Sequence, residues 1–170
     1  MTLRLILTRH AKSDWDNPLD TDHQRPLSAR GQRAAPAMGA WLAARGHVPG
    51  EALVSDATRT RETWALLAPA FGAEIPVRFE RNLYLAGPDM LRRVLRTAQA
   101  PVVMLIAHNP GIGELAQALV PRPLDHPAFL RYPTAATLIV EFDIPNWADL
   151  TQRATRILDF IVPRDLPDHG

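Results

Sequence analysis

Leu3, Leu5 and Leu7 around Ile6 form a short apolar run that reads as a strand ending at Thr8. The polar, aspartate-rich stretch from Asp14 to Arg25 reads as a loop. Ser28 suits an N-cap and Gly46 the residue after a C-cap, so the segment between them reads as a helix. Pro36 lies inside it and predicts a kink or a break. Ala52 to Val54 reads as a buried strand. Within Thr60 to Phe71, the residues Trp64, Leu67, Ala68 and Phe71 follow i, i+3, i+4, i+7 and mark one apolar helix face. Val77 to Phe79 reads as another short strand. Pro88 opens a helix with Leu91, Val94, Leu95 and Ala98 at helical spacing. Val102 to Ala107 is apolar without alternation, which predicts a central strand covered on both faces. Ile112, Leu115, Ala116 and Leu119 repeat the helical face. Thr137 to Phe142 and Thr155 to Ile161 read as late strands, with an antiparallel setting left open.

Strands alternating with amphipathic helices predict an α/β fold, a three-layer α/β/α sandwich around a mostly parallel sheet. Ligands in such folds bind beyond the carboxyl ends of the strands, so the residues after each apolar run carry the chemical interest.

Composition narrows the classes. The chain has 170 residues, 46% hydrophobic and 22% charged, which fits one soluble globular domain spanning 1–170 and excludes a disordered chain. A short Pro/Asp tail is expected after Pro163. With no cysteine there is no disulfide scaffold, zinc-thiolate site or cysteine nucleophile, and a reducing, cytoplasmic setting is expected. No targeting segment or membrane-spanning run is visible. The 19 Lys and Arg nearly balance the 18 Asp and Glu, so no global field favours nucleic acid or a membrane. Lys12 is the only lysine, and arginine is the side chain that grips oxyanions through paired hydrogen bonds.

Three strand ends carry candidate chemistry. The first runs into Arg9 and His10, the second into Ser55, Arg59 and Thr63, and the central strand into His108. In this order, the residues resemble the histidine phosphatase superfamily, also called phosphoglycerate mutase-like, and the resemblance extends from Leu3 to about Phe142. The Arg-His-Gly signature stands here as Arg9-His10-Ala11, with alanine in place of glycine. The Ser-x-x-x-Arg-x-x-x-Thr block stands as Ser55, Arg59 and Thr63, with Glu62 where a glutamine is common. The blocks from Asp22 to Gly31 and from Asn82 to Leu91 look most like the SixA-type branch, which is associated with phosphohistidine phosphatase activity.

The resemblance implies a phosphoglycerate mutase-like fold and a phosphatase that works through a phosphohistidine on His10. Arg9 and Arg59 would clamp the phosphoryl oxygens, with His108 as a further donor. Arg25, in the RPLS segment, is a second-tier substrate-binding candidate beside Ser55. The general acid is open between Glu80 and Asp89. No metal or other cofactor is expected, because the arginines supply the positive charge and the chain has no HExxH or paired-histidine spacing. The expected partner is a phosphorylated protein or a small phosphorylated metabolite, with no nucleic acid and no membrane. A small-molecule phosphomonoesterase and a silent phosphate- or phosphoprotein-binding module are the alternatives. Asp14, Asp16, Asp20 and Asp22 read as a solvated loop, or else as a border that selects against highly anionic substrates. Trp15 is a pocket wall or a lid anchor. The GxGxxA run from Gly111 to Ala116 matches a dinucleotide-binding turn, but no acidic residue ends a following strand at the required distance.

Overall fold

The computed structural model of the chain describes residues 2–151 and 153–167. Six strands form one sheet: β1 (Leu3–Arg9), β2 (Glu51–Ser55), β3 (Val77–Glu80), β4 (Val102–Ala107), β5 (Thr137–Phe142) and β6 (Arg156–Ile161). Their spatial order is β3-β2-β4-β1-β5-β6. β1 and β2 both pair in parallel with β4, and β3 pairs in parallel with β2. β5 runs antiparallel to both of its neighbours. The parallel core therefore holds β1, β2 and β4, the three strands whose ends carry the candidate chemistry.

The side-chain alternation explains the layers. In β1, Leu3, Leu5 and Leu7 enter one core while Ile6 enters the other. In β4, Val103, Leu105 and Ala107 face the first and Met104 and Ile106 the second. Every one of these side chains is essentially buried, which is why the strands read as continuous apolar runs. Each fully buried leucine or isoleucine stabilises the fold by roughly 1.5–3 kcal/mol. Helices α3 (Pro88–Leu95) and α4 (Gly111–Leu119) cover the first face. Helices α1 (Ala29–Ala44) and α2 (Thr58–Leu67) cover the second. The chain is thus an α/β fold with helices on both sides of a mostly parallel sheet.

Several local expectations hold and two change. Ser28 caps α1 by accepting from the Gly31 N–H, and Gly46 follows the C-cap at φ +75°. Pro36 does not divide α1, which runs for 16 residues with Pro36 on its exposed face. The helix read over Thr60–Phe71 ends at Leu67 and continues as a 3-10 turn, Ala68–Phe71, because Pro69 cannot donate to the α ladder. Pro163–Asp165 forms a 3-10 turn, and the end of the expected tail lies outside the described residues. Among the described residues, no helix is long and apolar enough to cross a membrane.

Candidate active site

The carboxyl ends of β1, β2 and β4 meet the segment Asp22–Arg25 at a cleft of about 220 Å³. Arg9, His10, Asp22, Arg25, Arg59 and His108 all line it. Close approach of α1 to the chain after β1 helps build this edge. A side chain on Gly31 would sit 2.2 Å from the Lys12 carbonyl, which the Ser28 N–H and hydroxyl also hold.

His10 follows β1 and is 5% exposed. Its Nδ1 lies 2.7 Å from the Ala11 carbonyl, which can only accept. Nδ1 therefore carries the proton and Nε2 keeps a free lone pair. Burial is the main force lowering its pKa to about 3, and the charges of Arg9, Arg59 and Arg25 add to it against the Ala11 hydrogen bond. The imidazole is neutral at physiological pH, as a nucleophile requires.

Arg59, on α2, is 2% exposed and donates to the Asp22 carbonyl at 2.7 Å and to its carboxylate at 3.2 Å. The threonine of the same block ties α2 to the loop after β1. Thr63 Oγ1 accepts from the Ala11 N–H at 3.0 Å and donates to the Arg59 carbonyl at 2.7 Å. Glu62 accepts the Leu27 N–H at 2.8 Å and so holds the RPLS segment against α2. Arg25 is buried, donates to Ser13 Oγ and to Asp22, and lies under the exposed Trp15 ring at 3.3 Å from its centroid. Trp15 therefore caps Arg25 at the rim of the cleft.

His108 follows β4 and is 2% exposed, with its ring centroid 5.3 Å from that of His10. Burial lowers its pKa to about 2, with His10 and Arg59 adding to the shift. Its Nε2 lies 2.7 Å from Ser55 Oγ. Ser55 is fully buried and also accepts from the Ala57 N–H. Ser55, expected to bind substrate, is not among the residues lining the cleft, and its oxygen contacts His108 and the start of α2. Among the described residues its proton has no other acceptor, so it donates to Nε2 and leaves the proton of His108 on the buried Nδ1.

The expected general acids are not in the cleft. Glu80 ends β3, outside the cleft lining, and lies 3.6 Å from the Arg78 guanidinium. Asp89 is exposed in the first turn of α3. Neither is among the residues that line the cleft. The carboxylate that does line the cleft is Asp22, from the aspartate-rich loop, and it stays exposed at the border of the cleft. It accepts from Arg25, Arg59 and the Tyr84 hydroxyl. Burial pushes its pKa up, but Tyr84 and Arg25 hydrogen bonds and the Arg59 charge outweigh this and hold it at about 2. A signal was present: Asp22 stands three residues before Arg25 in a short turn. Nothing in the local pattern pointed to Tyr84.

Among the described residues, the buried side-chain nitrogens and oxygens without a partner are Arg9 Nε, Arg59 Nε and His108 Nδ1. All three belong to residues lining this one cleft, and with Nδ1 protonated all three are donors. Buried donors are normally paired, and a tetrahedral oxyanion offers the acceptors they need. No group of three or more His, Asp or Glu among the described residues is arranged to hold a metal ion.

Comparison with known proteins agrees with this geometry. The sequence profile of the histidine phosphatase superfamily (branch 1) matches residues 5–84. A Mycobacterium leprae protein of uncharacterized function is 32% identical over 167 residues, covering 92% of this chain and 99% of that one. A protein from Nakamurella multipartitia, provisionally assigned as the phosphohistidine phosphatase SixA, is 30% identical with a TM-score of 0.77. That match covers 96% of this chain and 97% of the other. The chain belongs to the histidine phosphatase superfamily. Within it the chain falls in the SixA-type branch and is a phosphatase. A second structure with the same provisional assignment, from Agrobacterium tumefaciens, is 27% identical with a TM-score of 0.79, covering 95% of this chain and 98% of that one. Membership also disposes of the dinucleotide reading of Gly111–Ala116. A side chain at Gly111 would meet the Ala86 carbonyl at 1.8 Å, so that glycine answers a packing demand.

Proposed function

We propose that this phosphatase hydrolyses phosphohistidine on a protein, through a covalent phosphohistidine on its own His10. His10 Nε2 attacks phosphorus in line, and the P–N bond to the substrate imidazole breaks. Arg9, Arg59 and the His108 Nδ1–H donate to the equatorial oxygens as charge builds on them. The departing imidazole takes a proton from solvent. Water then attacks phosphorus, the bond to His10 Nε2 breaks, and inorganic phosphate leaves with His10 restored.

The observation that carries the choice of substrate is the state of Asp22. It is the one carboxylate lining the cleft, and three donors keep it ionised, so it has no proton to give. An alkoxide leaving group needs such a proton, and a positioned acid is worth roughly 10²–10⁴-fold there. An imidazole needs no enzyme acid, because its other ring nitrogen titrates near neutrality and takes a proton from solvent, so the ring departs neutral. The size of the cleft supports the same reading. At about 220 Å³ it suits a phosphoryl group presented by a larger partner, whereas pockets that enclose a metabolite run to about 300–1,000 Å³. The cysteine-free composition fits a cytoplasmic setting for this reaction.

The test compares kcat/KM on a phosphohistidine-bearing protein with a panel of alkyl phosphate monoesters. A preference of at least a hundredfold for the phosphohistidine protein is expected. Equal or faster turnover of an alkyl phosphate would transfer the assignment to a small-molecule monoesterase, and turnover of neither would leave a binding module.

A further inference from the structure

Beside the catalytic cleft lies a second, wider groove of about 440 Å³. It shares Arg9, Lys12 and Thr134 with the cleft and adds Arg30, Arg131 and Arg164. No carboxylate lines it. Lys12, Arg30, Arg131 and Arg164 are exposed, and none of them forms an ion pair among the described residues. This differs from the other end of strands β1, β5 and β6, where Arg4 and Arg156 share Glu141. The four cations come from four separate segments: the chain after β1, the first turn of α1, the turn before β5 and the turn after β6. Bringing like charges together raises their mutual repulsion, which a bound anion relieves.

We propose that this groove is a docking subsite for acidic side chains flanking the phosphohistidine on the protein substrate, an inference that rests on the function proposed above. Its continuity with the cleft through Arg9 and Thr134 puts it within reach of residues next to the reacting group. Four cations around a groove of about 440 Å³ can engage several carboxylates along a chain. Its floor contains Ala34, Ala128 and Val162, apolar surface on which glutamate methylenes can rest. Charges at such an open rim act on encounter and affinity, with a strong dependence on salt. The effect therefore falls on KM.

Two measurements test the subsite, each on the full chain and on the triple variant Arg30→Ala, Arg131→Ala, Arg164→Ala. The first is fluorescence anisotropy with a labelled hexaglutamate peptide, which needs no turnover. Saturable binding is expected, weakened at least tenfold in the triple variant and by raised salt. The second is the ratio of kcat/KM between phosphohistidine peptides flanked by glutamate and by glutamine. The ratio should be about tenfold or more in the wild type, through KM, and fall toward one in the triple variant. Hexaglutamate that does not bind, or binds both proteins equally, overturns the subsite even when both peptides are hydrolysed. Pyrophosphate binding there in place of hexaglutamate also overturns it, in favour of a small polyphosphorylated ligand. Hexaglutamate binding that the triple variant loses, with neither peptide hydrolysed, would sustain the groove as an acidic-peptide site and sink the proposed activity instead.

Discussion

The Ser55 hydroxyl lies 2.7 Å from Nε2 of His108, and both side chains are buried. That hydrogen bond sets which ring nitrogen of His108 carries the proton. Ser55→Ala should lower kcat about tenfold with little change in KM, because the protonation of His108 Nδ1 is no longer fixed. The variant should also lose about 1–3 kcal/mol of stability, the usual cost of leaving a buried polar group unpaired. Urea denaturation and steady-state kinetics read the two effects separately.

His10→Ala should fold normally and turn over less than a few per cent of the wild-type rate. Quenched-flow with labelled phosphoprotein should trap label on the wild-type enzyme and none on the variant. A trapped intermediate on His10→Ala would place the covalent step elsewhere.

Asp22→Asn removes the negative charge that Arg25 and Arg59 share. Inorganic phosphate should then inhibit several-fold more strongly, since the two guanidiniums no longer have a competing carboxylate. At least a tenth of the rate on phosphohistidine should survive, because Asp22 is not a proton donor. A loss beyond a hundredfold at saturating substrate would make Asp22 part of the chemical step.

Glu80→Gln and Asp89→Asn should each change the rate by less than about tenfold on phosphohistidine and on alkyl phosphates alike, below ~1.4 kcal/mol of barrier. Both carboxylates lie outside the cleft lining. A selective collapse on alkyl phosphates would show that one of them reaches the leaving oxygen.

Stability should fall as the pH is lowered from neutrality. His10 and His108 have folded-state values of about 3 and about 2, below the unfolded imidazole. Between about pH 6.5 and 3 the unfolded chain binds protons that the folded chain does not. Each group then costs at most about 1.4 kcal/mol per pH unit. Asp22, with its depressed pKa, adds a further loss only below about pH 4. Denaturation midpoints from pH 7.5 to 4.5 should decline, and His108→Asn should reduce the slope. A flat profile would mean that the two rings are hydrated in solution.

The layered α/β architecture was legible in the chain because strands buried on both faces leave no polar positions, as in Val102–Ala107. Arg9, His10, Arg59 and His108 were singled out by strand-end position together with the order of motifs that resembles the superfamily, and the fold brings all four to one cleft. Arg25 was visible only as a second-tier residue, because nothing local distinguishes a buried loop arginine from a solvated one.

The acid–base assignment could not be read the same way. Glu80 and Asp89 looked near the site in sequence, but neither lines the cleft. Asp22 could be read as solvated or as a pocket border, and it is an exposed residue of the cleft onto whose carboxylate the folded chain brings Arg59 from 37 residues away and Tyr84 from 62 residues away. Ser55 was expected to bind substrate, and only the pairing of β4 beside β2 brings its hydroxyl to His108. The sequence by itself determined which elements form, because hydrophobic periodicity and capping act over a few residues. The protonation states, the tautomer of His108 and the ionised Asp22 came from tertiary structure alone. Those properties are set by burial and by charges that only the folded chain brings within a few ångströms.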